Sequence, residues 1–333
     1  MSAKHVLIIG SGSVGKRHAR NLAALGCTIS CSDPRSDRRS EMRAQLPLVG
    51  DFADEITAMS ATSYDGVVIG SPPPFHVAQS ARALSAGVPV LLEKPVCADL
   101  VSAEHLALTV ARSQTALLLS YTWRWWLPLA EVRSILKSQA IGQLRHVHFH
   151  MSAHLADWHP WERYQDFFMA KRALGGGALL DESHWLDLMI WFFGMPAEVS
   201  GRIEKISDLE IETDDNVDLL LSYADGKRVT MHLDLYGRPH EKFIRFVGSN
   251  GTLLWTADPN RIAVGRGQLW EQTDYTGDRN DMFVAVAKEF LDVMNGGAVR
   301  TCTVEDGVRV LRVIEAARTA SHEGRSVSIV NGL

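Results

Sequence analysis

The segment GGGALLDESHWLD, residues 175–187, sets Asp181, His184 and Asp187 at steps of three where the apolar run WLDLMIWFFG begins. An imidazole titrates near neutrality and can take or return a proton, and a carboxylate beside it fixes its tautomer and raises its basicity. Steps of three put the three side chains on adjoining faces of one helix. The apolar run buries that helix until Gly194 and Pro196 end it. Ionisable groups in such a place are costly unless paired or used. A plainer account stays open, in which Asp181 caps the helix and His184 is a satisfied core histidine. A second chemically capable residue is Lys94, which follows the apolar strand pattern VPVLL and is stiffened by Pro95. An ammonium there can stabilise negative charge growing on a substrate oxygen, or it is simply a surface lysine in a turn.

Both groups need a scaffold and a partner reagent, and the first hundred residues supply a candidate. His5–Ile9 is short, branched and apolar, as in a buried parallel strand. It runs into Gly10-Ser11-Gly12-Ser13-Val14-Gly15 and then a helical pattern closed by Gly26. Strand, GxGxxG loop and helix, in that order, form the dinucleotide fingerprint. Gly10 permits the tight turn, Gly12 lets backbone approach a pyrophosphate, and Gly15 lets helix and strand pack closely, with amides at the helix start facing the phosphate. Asp33 ends a second strand about 20 residues on, where an acid holds the adenosine ribose and repels a 2'-phosphate, favouring NAD. Arg35, Arg38 and Arg39 follow and can instead hold that phosphate, so NADP stays open. Strand and helix patterns keep alternating through residue 120, which implies a parallel sheet covered on both faces. Ligands on such sheets sit at the carboxyl ends of strands, so the turns holding Ser71, Pro72 and His76, and Glu93 with Lys94, are expected to face the cofactor.

The rest of the composition narrows the field. A length of 333 residues suggests two domains, set here at 1–122 and 123–333. The net charge of -5 gives no footing for nucleic acid. No apolar run approaches the roughly 20 residues that cross a bilayer, and MSAKHVLIIG passes into the glycine loop without the pattern of a secretory leader. Cys27, Cys31, Cys97 and Cys302 form no CxxC pair, which fits reduced thiols in a cytoplasmic protein. His146, His148 and His150 alternate along a strand pattern and point the same way. With His154 or His159 they could assemble metal ligands, but a polar sheet face at an interface or active-site edge is the better explanation, and no metal is expected.

Taken in order, GSGSVG, the Pro-rich turn ending in His76, Glu93-Lys94-Pro95, IGQLRHVHF, GGGALLDESHWLD, DGKRVTMHLDL, FVGSNGTLLW and the closing EDGVRVLRVIEAARTASHEGRSVSI resemble the Gfo/Idh/MocA family of sugar and inositol dehydrogenases. The resemblance implies a Rossmann parallel sheet followed by an α/β domain on a large open, mainly antiparallel sheet, whose face commonly mediates homodimers or homotetramers. It implies an NAD(P)-dependent oxidoreductase acting on a hydroxyl or keto carbon of a sugar, sugar acid, cyclitol or nucleotide sugar. Lys94 is then a substrate-binding and catalytic residue, and His184 the proton carrier. Trp123 and Arg124 in the junction YTWRWW, and Trp158 and Tyr164 in DWHPWERY, become substrate contacts, by stacking on a sugar ring or gripping a carboxylate or phosphate. Many family members carry D-x-G-x-H, whereas Asp181 and His184 are three apart with Ser183 between, so Asp181 and Asp187 both stand as partners of the histidine. Two other readings remain: a non-catalytic dinucleotide sensor of the same fold, and a reductase of a non-sugar carbonyl or imine.

Overall fold

The computed structural model describes residues 3–158 and 162–329. The chain forms two compact units, Met1–Trp125 with Arg279–Val308, and Trp126–Asp278 with Arg309–Leu333.

The first unit is built on strands β1 (His5–Ile9), β2 (Thr28–Ser32), β3 (Leu48–Phe52), β4 (Gly66–Ile69), β5 (Val90–Glu93) and β6 (Leu117–Ser120). They make one sheet in the order β3-β2-β1-β4-β5-β6, and every pair is parallel. The connecting helices are α1 (Ser13–Ala24), α2 (Ser36–Gln45), α3 (Glu55–Ala61), α4 (His76–Ser85) and α5 (Leu100–Ser113). Strand order reverses between β1 and β4, so loops leaving those two strands diverge to opposite faces and open the crevice that binds ligands in such sheets. The expected doubly wound parallel sheet is therefore present.

In the second unit, α6 (Leu127–Lys137) is followed by β7 (Leu144–Ser152), a long stretch of short turns, α7 (Ala178–Asp181) and α8 (His184–Phe193). Then come β8 (Glu198–Glu204), β9 (Asn216–Ser222), β10 (Arg228–Asp234), β11 (Glu241–Gly248), β12 (Thr252–Ala257), β13 (Asn260–Arg266) and β14 (Leu269–Asp274). After α9 (Asn280–Met294) and α10 (Val304–Glu323), the short β15 (Val327–Ser328) closes a nine-stranded sheet, ordered β14-β13-β12-β11-β7-β10-β9-β8-β15. Only the β7–β10 pair is parallel. On β7 the alternation is plain: Val147, Phe149 and Met151 are buried, while His146, His148 and His150 are half-exposed on the other face. The buried face receives α8, with Trp185 edge-on to Phe149 at 6.3 Å and near Trp255 at 6.4 Å, and Phe192 edge-on to Phe246 at 5.7 Å. Among the described residues no helix is long and apolar enough to cross a membrane.

The chain crosses between units after Trp125, Asp278 and Val308, where sequence led us to set a single boundary near 122. The physical reason lies in α9. Its Val286, Phe290 and Met294 join Val6, Ile8, Ala19 and Leu22 in one buried cluster, and Asn280 exchanges side-chain hydrogen bonds of 2.9 and 3.2 Å with Asn21 of α1. Gly66 makes room for it, since a Cβ there would lie 2.5 Å from Met294 Sδ and 2.9 Å from Phe290 Cζ. Phe290→Ala should therefore destabilise the dinucleotide unit by about 3–5 kcal/mol. Urea unfolding followed with and without NADH checks this, and a loss below about 1 kcal/mol would show that α9 is peripheral.

Candidate active site

The glycine loop is organised by contacts that exclude side chains. Gly10 has φ +92°, and a Cβ on it would lie 2.7 Å from the backbone of Gly70 and Ser71. A Cβ on Gly15 would lie 1.9 Å from the Gly10 carbonyl oxygen. Gly12 is different, because its nearest neighbour would be Arg38 Nη1 at 3.7 Å. The first two glycines thus let protein meet protein, whereas at Gly12 the room is left for a ligand. No side chain caps α1, so the amides of Ser13, Val14 and Gly15 at its first turn are suited to an anion.

Asp33 is buried and already held in register with this loop. Its Oδ2 accepts from Ser11 N at 2.7 Å and its Oδ1 from Arg35 N at 2.8 Å. A carboxylate oxygen has a second lone pair, so both can still accept from ribose hydroxyls. Of the three arginines, Arg35 forks onto Asp37, while Arg39 reaches Asp51 at 2.7 Å and the Asp33 carbonyl at 2.5 Å. Arg38 is the one whose guanidinium lies over Gly12. These residues fit a dinucleotide: close backbone at the loop, an acid fixed for the ribose, and a cation beside it.

The two turns beyond β4 and β5 are tied to each other by His76. Its ring is buried, with Nε2 2.7 Å from the Ser71 carbonyl oxygen and Nδ1 2.9 Å from that of Pro95. Burial pushes this imidazole below the ordinary histidine range, against those hydrogen bonds and Glu93. The ring spans the space between the Ser71–Pro72 turn and the Lys94–Pro95 peptide, which is cis, and in its neutral form donates to only one of the two carbonyls. Ser71 Oγ donates to Gln79 Oε1 at 2.6 Å. Glu93 is buried beside His18. Lys94 is the one partly exposed residue from Val90 to Cys97.

The second unit repeats this pattern around His184. From Gly177 to Ile190 every residue is buried except His184. The segment is not the single helix expected from its spacing. It is α7 and α8, broken at Glu182–Ser183, where Trp185 N bonds back to the Glu182 carbonyl at 3.0 Å. Asp181 therefore ends α7, while His184 opens α8 and shares it with the fully buried Asp187 three positions on. The break follows from the polar run Asp181-Glu182-Ser183, with Glu182 turned to accept from Trp185 Nε1 at 2.9 Å. The glycines hold α7 in place: a Cβ on Gly176 would lie 2.2 Å from the Met169 carbonyl oxygen, and Gly177 has φ +113°. Asp214 was not foreseen from sequence. Its carboxylate accepts from Leu179 N and its carbonyl from Ala178 N, both at 2.9 Å, and burial pushes its carboxyl above the usual range. The only sequence signal was its place in the acidic run ETDD.

Comparison with known proteins follows this geometry. Residues 4–121 match the oxidoreductase family with an NAD-binding Rossmann fold, and residues 129–254 match the GFO/IDH/MocA C-terminal domain. The chain belongs to the Gfo/Idh/MocA family of oxidoreductases. Among family members, the rhizopine catabolism protein MocA of Rhizobium meliloti is 25% identical over 93% of this chain and 92% of its own. The D-apiose dehydrogenase of Rhizobium rhizogenes is 23% identical over 97% and 96%. The crystal structure of myo-inositol 2-dehydrogenase from Lactobacillus plantarum superposes with a TM-score of 0.83, 22% identity, and coverage of 99% and 100%. A Gfo/Idh/MocA oxidoreductase uses a nicotinamide dinucleotide, and the glycine loop with Asp33 is where this chain is built for one.

The residues expected to touch substrate have varied surroundings. Trp123 and Arg124 lie buried on a 3₁₀ turn of the first unit. Arg124 Nη1 donates to the Thr301 carbonyl at 2.9 Å and to Asp306 at 3.0 Å, so this guanidinium ties residues 301–306 to the junction. Trp158 and Tyr164 are half-buried in the second unit, with the Tyr164 hydroxyl accepting from Glu210 N at 3.3 Å. His159 lies outside the described residues. His146, His148 and His150 do share a face, but they are not turned to a common centre. His146 and His148 meet Thr230 Oγ1 at 3.2 and 2.9 Å, and His150 stacks between Phe243 and His232 at 4.7 and 5.3 Å. Among the described residues no cluster of His, Cys, Asp or Glu is gathered to hold a metal.

Two measurements follow. Gly12→Ala should fold with unchanged Tm yet lose NADH affinity, whereas Gly15→Ala should lose both; equal Tm losses would show that Gly12 is a packing glycine like Gly15. His232 bonds Asp234 and, opposed by burial, also Asp218, which together raise it from 6.5 to about 9. A raised folded value means this contribution is complete below pH 6.5 and disappears as pH rises through about 9. His232→Gln should flatten the stability profile in that window, as read from urea midpoints.

Proposed function

We propose that this oxidoreductase transfers hydride between a nicotinamide and a hydroxyl or keto carbon of a polyhydroxylated substrate: a sugar, sugar acid, cyclitol or nucleotide sugar. The observation that carries the reading is that Lys94 in one unit and His184 in the other are each the partly exposed ionisable residue of an otherwise buried stretch. Burying a helix and a strand end around one partly exposed ionisable residue is unfavourable unless that residue is used. Support for the substrate class comes from the activities that the relatives are named for, an apiose dehydrogenase and an inositol dehydrogenase among them.

When bound, the dinucleotide accepts or gives the hydride. The chain supplies the rest of the chemistry. In the oxidative direction His184 takes the hydroxyl proton while Lys94 offers its ammonium to the oxygen as negative charge grows there. Asp187, which shares α8 with His184 and lies about one helical turn on, is placed to orient the ring, and Asp181 serves from α7. The Glu93–Pro95 turn, clamped by His76, keeps Lys94 from wandering. Asp33 favours NAD, and Arg38 over the loop extends acceptance to NADP. Four buried, unbridged cysteines fit a cytoplasmic place of action. Assembly as a homodimer or homotetramer belongs to the same reading and is checked by light scattering.

The decisive experiment is a panel of sugars, sugar acids and inositols offered with NAD and NADP in parallel, following reduced-cofactor absorbance. On the substrate it finds, His184→Asn should lower kcat by about 10²- to 10⁴-fold, with NADH affinity unchanged. Unaltered turnover would remove His184 from the mechanism, and NADH uptake without turnover on any compound would favour a dinucleotide sensor.

A further inference from the structure

Helix α1 starts at the dinucleotide loop and, one turn further on, carries a fully buried histidine. His18 Nε2 lies 2.6 Å from Glu93 Oε1, and Glu93 is itself only 7% exposed. Glu93 is the last residue of β5, in register with Ser120 of β6, and is joined by a peptide bond to Lys94. The ring of Phe283 from α9 closes edge-on against His18 at 5.6 Å. The cofactor helix therefore grips a carboxylate whose neighbour in the chain is the substrate lysine.

The geometry assigns His18 and Glu93 the role of a buried positioning couple, which keeps Lys94 charged and anchored and makes one helix answer for both cofactor loop and lysine. The proposal rests on the reading of Lys94 as the group that polarises the substrate oxygen. Its electrostatics follow from the surroundings. The groups facing Glu93 are His18 from α1, the Ser120 hydroxyl from β6, His76 from α4 and Lys94 itself. Burial disfavours the carboxylate, but His18, Ser120 and Lys94 outweigh it and hold Glu93 below its ordinary range. His18 donates Nε2–H to Glu93 and fixes the carboxylate's negative charge beside Lys94. That charge stabilises the ammonium of Lys94 over its free amine. Glutamine can copy that donor, and leucine cannot.

The test reads the charge of Lys94 directly. Lysines of the full-length protein are reductively methylated with ¹³C, and the Lys94 resonance, identified by its loss in Lys94→Arg, is titrated by NMR with NADH present. Glu93→Gln should make Lys94 release its proton at least tenfold more readily than wild type. His18→Leu should shift it the same way, and His18→Gln should titrate like wild type. Should Glu93→Gln not fold, the His18→Leu and His18→Gln pair carries the comparison, with circular dichroism confirming the fold. A Lys94 titration that is the same in all variants overturns the couple. Turnover of Lys94→Ala is measured separately: full activity there overturns the role of Lys94 in the reaction without touching the titration result.

Discussion

The Gly10 carbonyl oxygen occupies space that a side chain on residue 15 would need, 1.9 Å from where its Cβ would stand. That contact sets how closely α1 meets β1. Because α1 is seated there, its first amides converge on the loop, Ser11 N reaches Asp33, and His18 is carried to Glu93. The turn after β4 depends on the same closeness, since Gly10 also abuts the backbone of Gly70 and Ser71. A single missing methyl group at each of two positions thus organises the cofactor loop and the strand end that bears Lys94. Nothing in the hydrophobic core could replace this, because burial is roughly proportional to area and indifferent to direction, whereas these contacts fix direction.

Glycine does comparable work in the second unit. Gly176 and Gly177 bring the chain against Met169 and Asp214, and Asp214 in turn holds the first amides of α7. The rest of the segment is anchored by aromatic packing of α8 on the sheet, through Trp185, Phe192 and Phe193. His184 sits where the polar α7–α8 break meets this buried helix. Its neighbours in the chain are buried on both sides.

Much of this was legible from residue order. The βα alternation with Gly10, Gly12 and Gly15 foretold a parallel sheet and its loop, because Gly10 and Gly15 stand where backbone crowds backbone and Gly12 where room is left for a ligand. The alternation on β7 foretold a sheet with one buried face. The helix break inside 178–193 was not legible, since period-three spacing is the same in one helix or two, and only the Trp185–Glu182 bonds decide between them. Nor was the partnership of Arg124 with Thr301 and Asp306, or of Asp214 with α7, because each joins residues far apart in the chain. The position of α9 in the first unit escaped notice for the same reason: its apolar stripe shows that it packs, not against what.

The sequence by itself determined the doubly wound first sheet, the family and the dinucleotide loop, and it singled out Lys94 and His184 as candidates for the chemistry. These rest on short-range rules, in which a glycine, a proline or a period of two or 3.6 residues restricts the backbone near it. Only the tertiary structure decided that Asp33 is already held by Ser11 and Arg35, that Arg38 alone of its neighbours lies over Gly12, and that His18 reaches Glu93 across 75 residues. Pairings of that kind are settled by which surfaces the packed core brings together, and no local pattern encodes them.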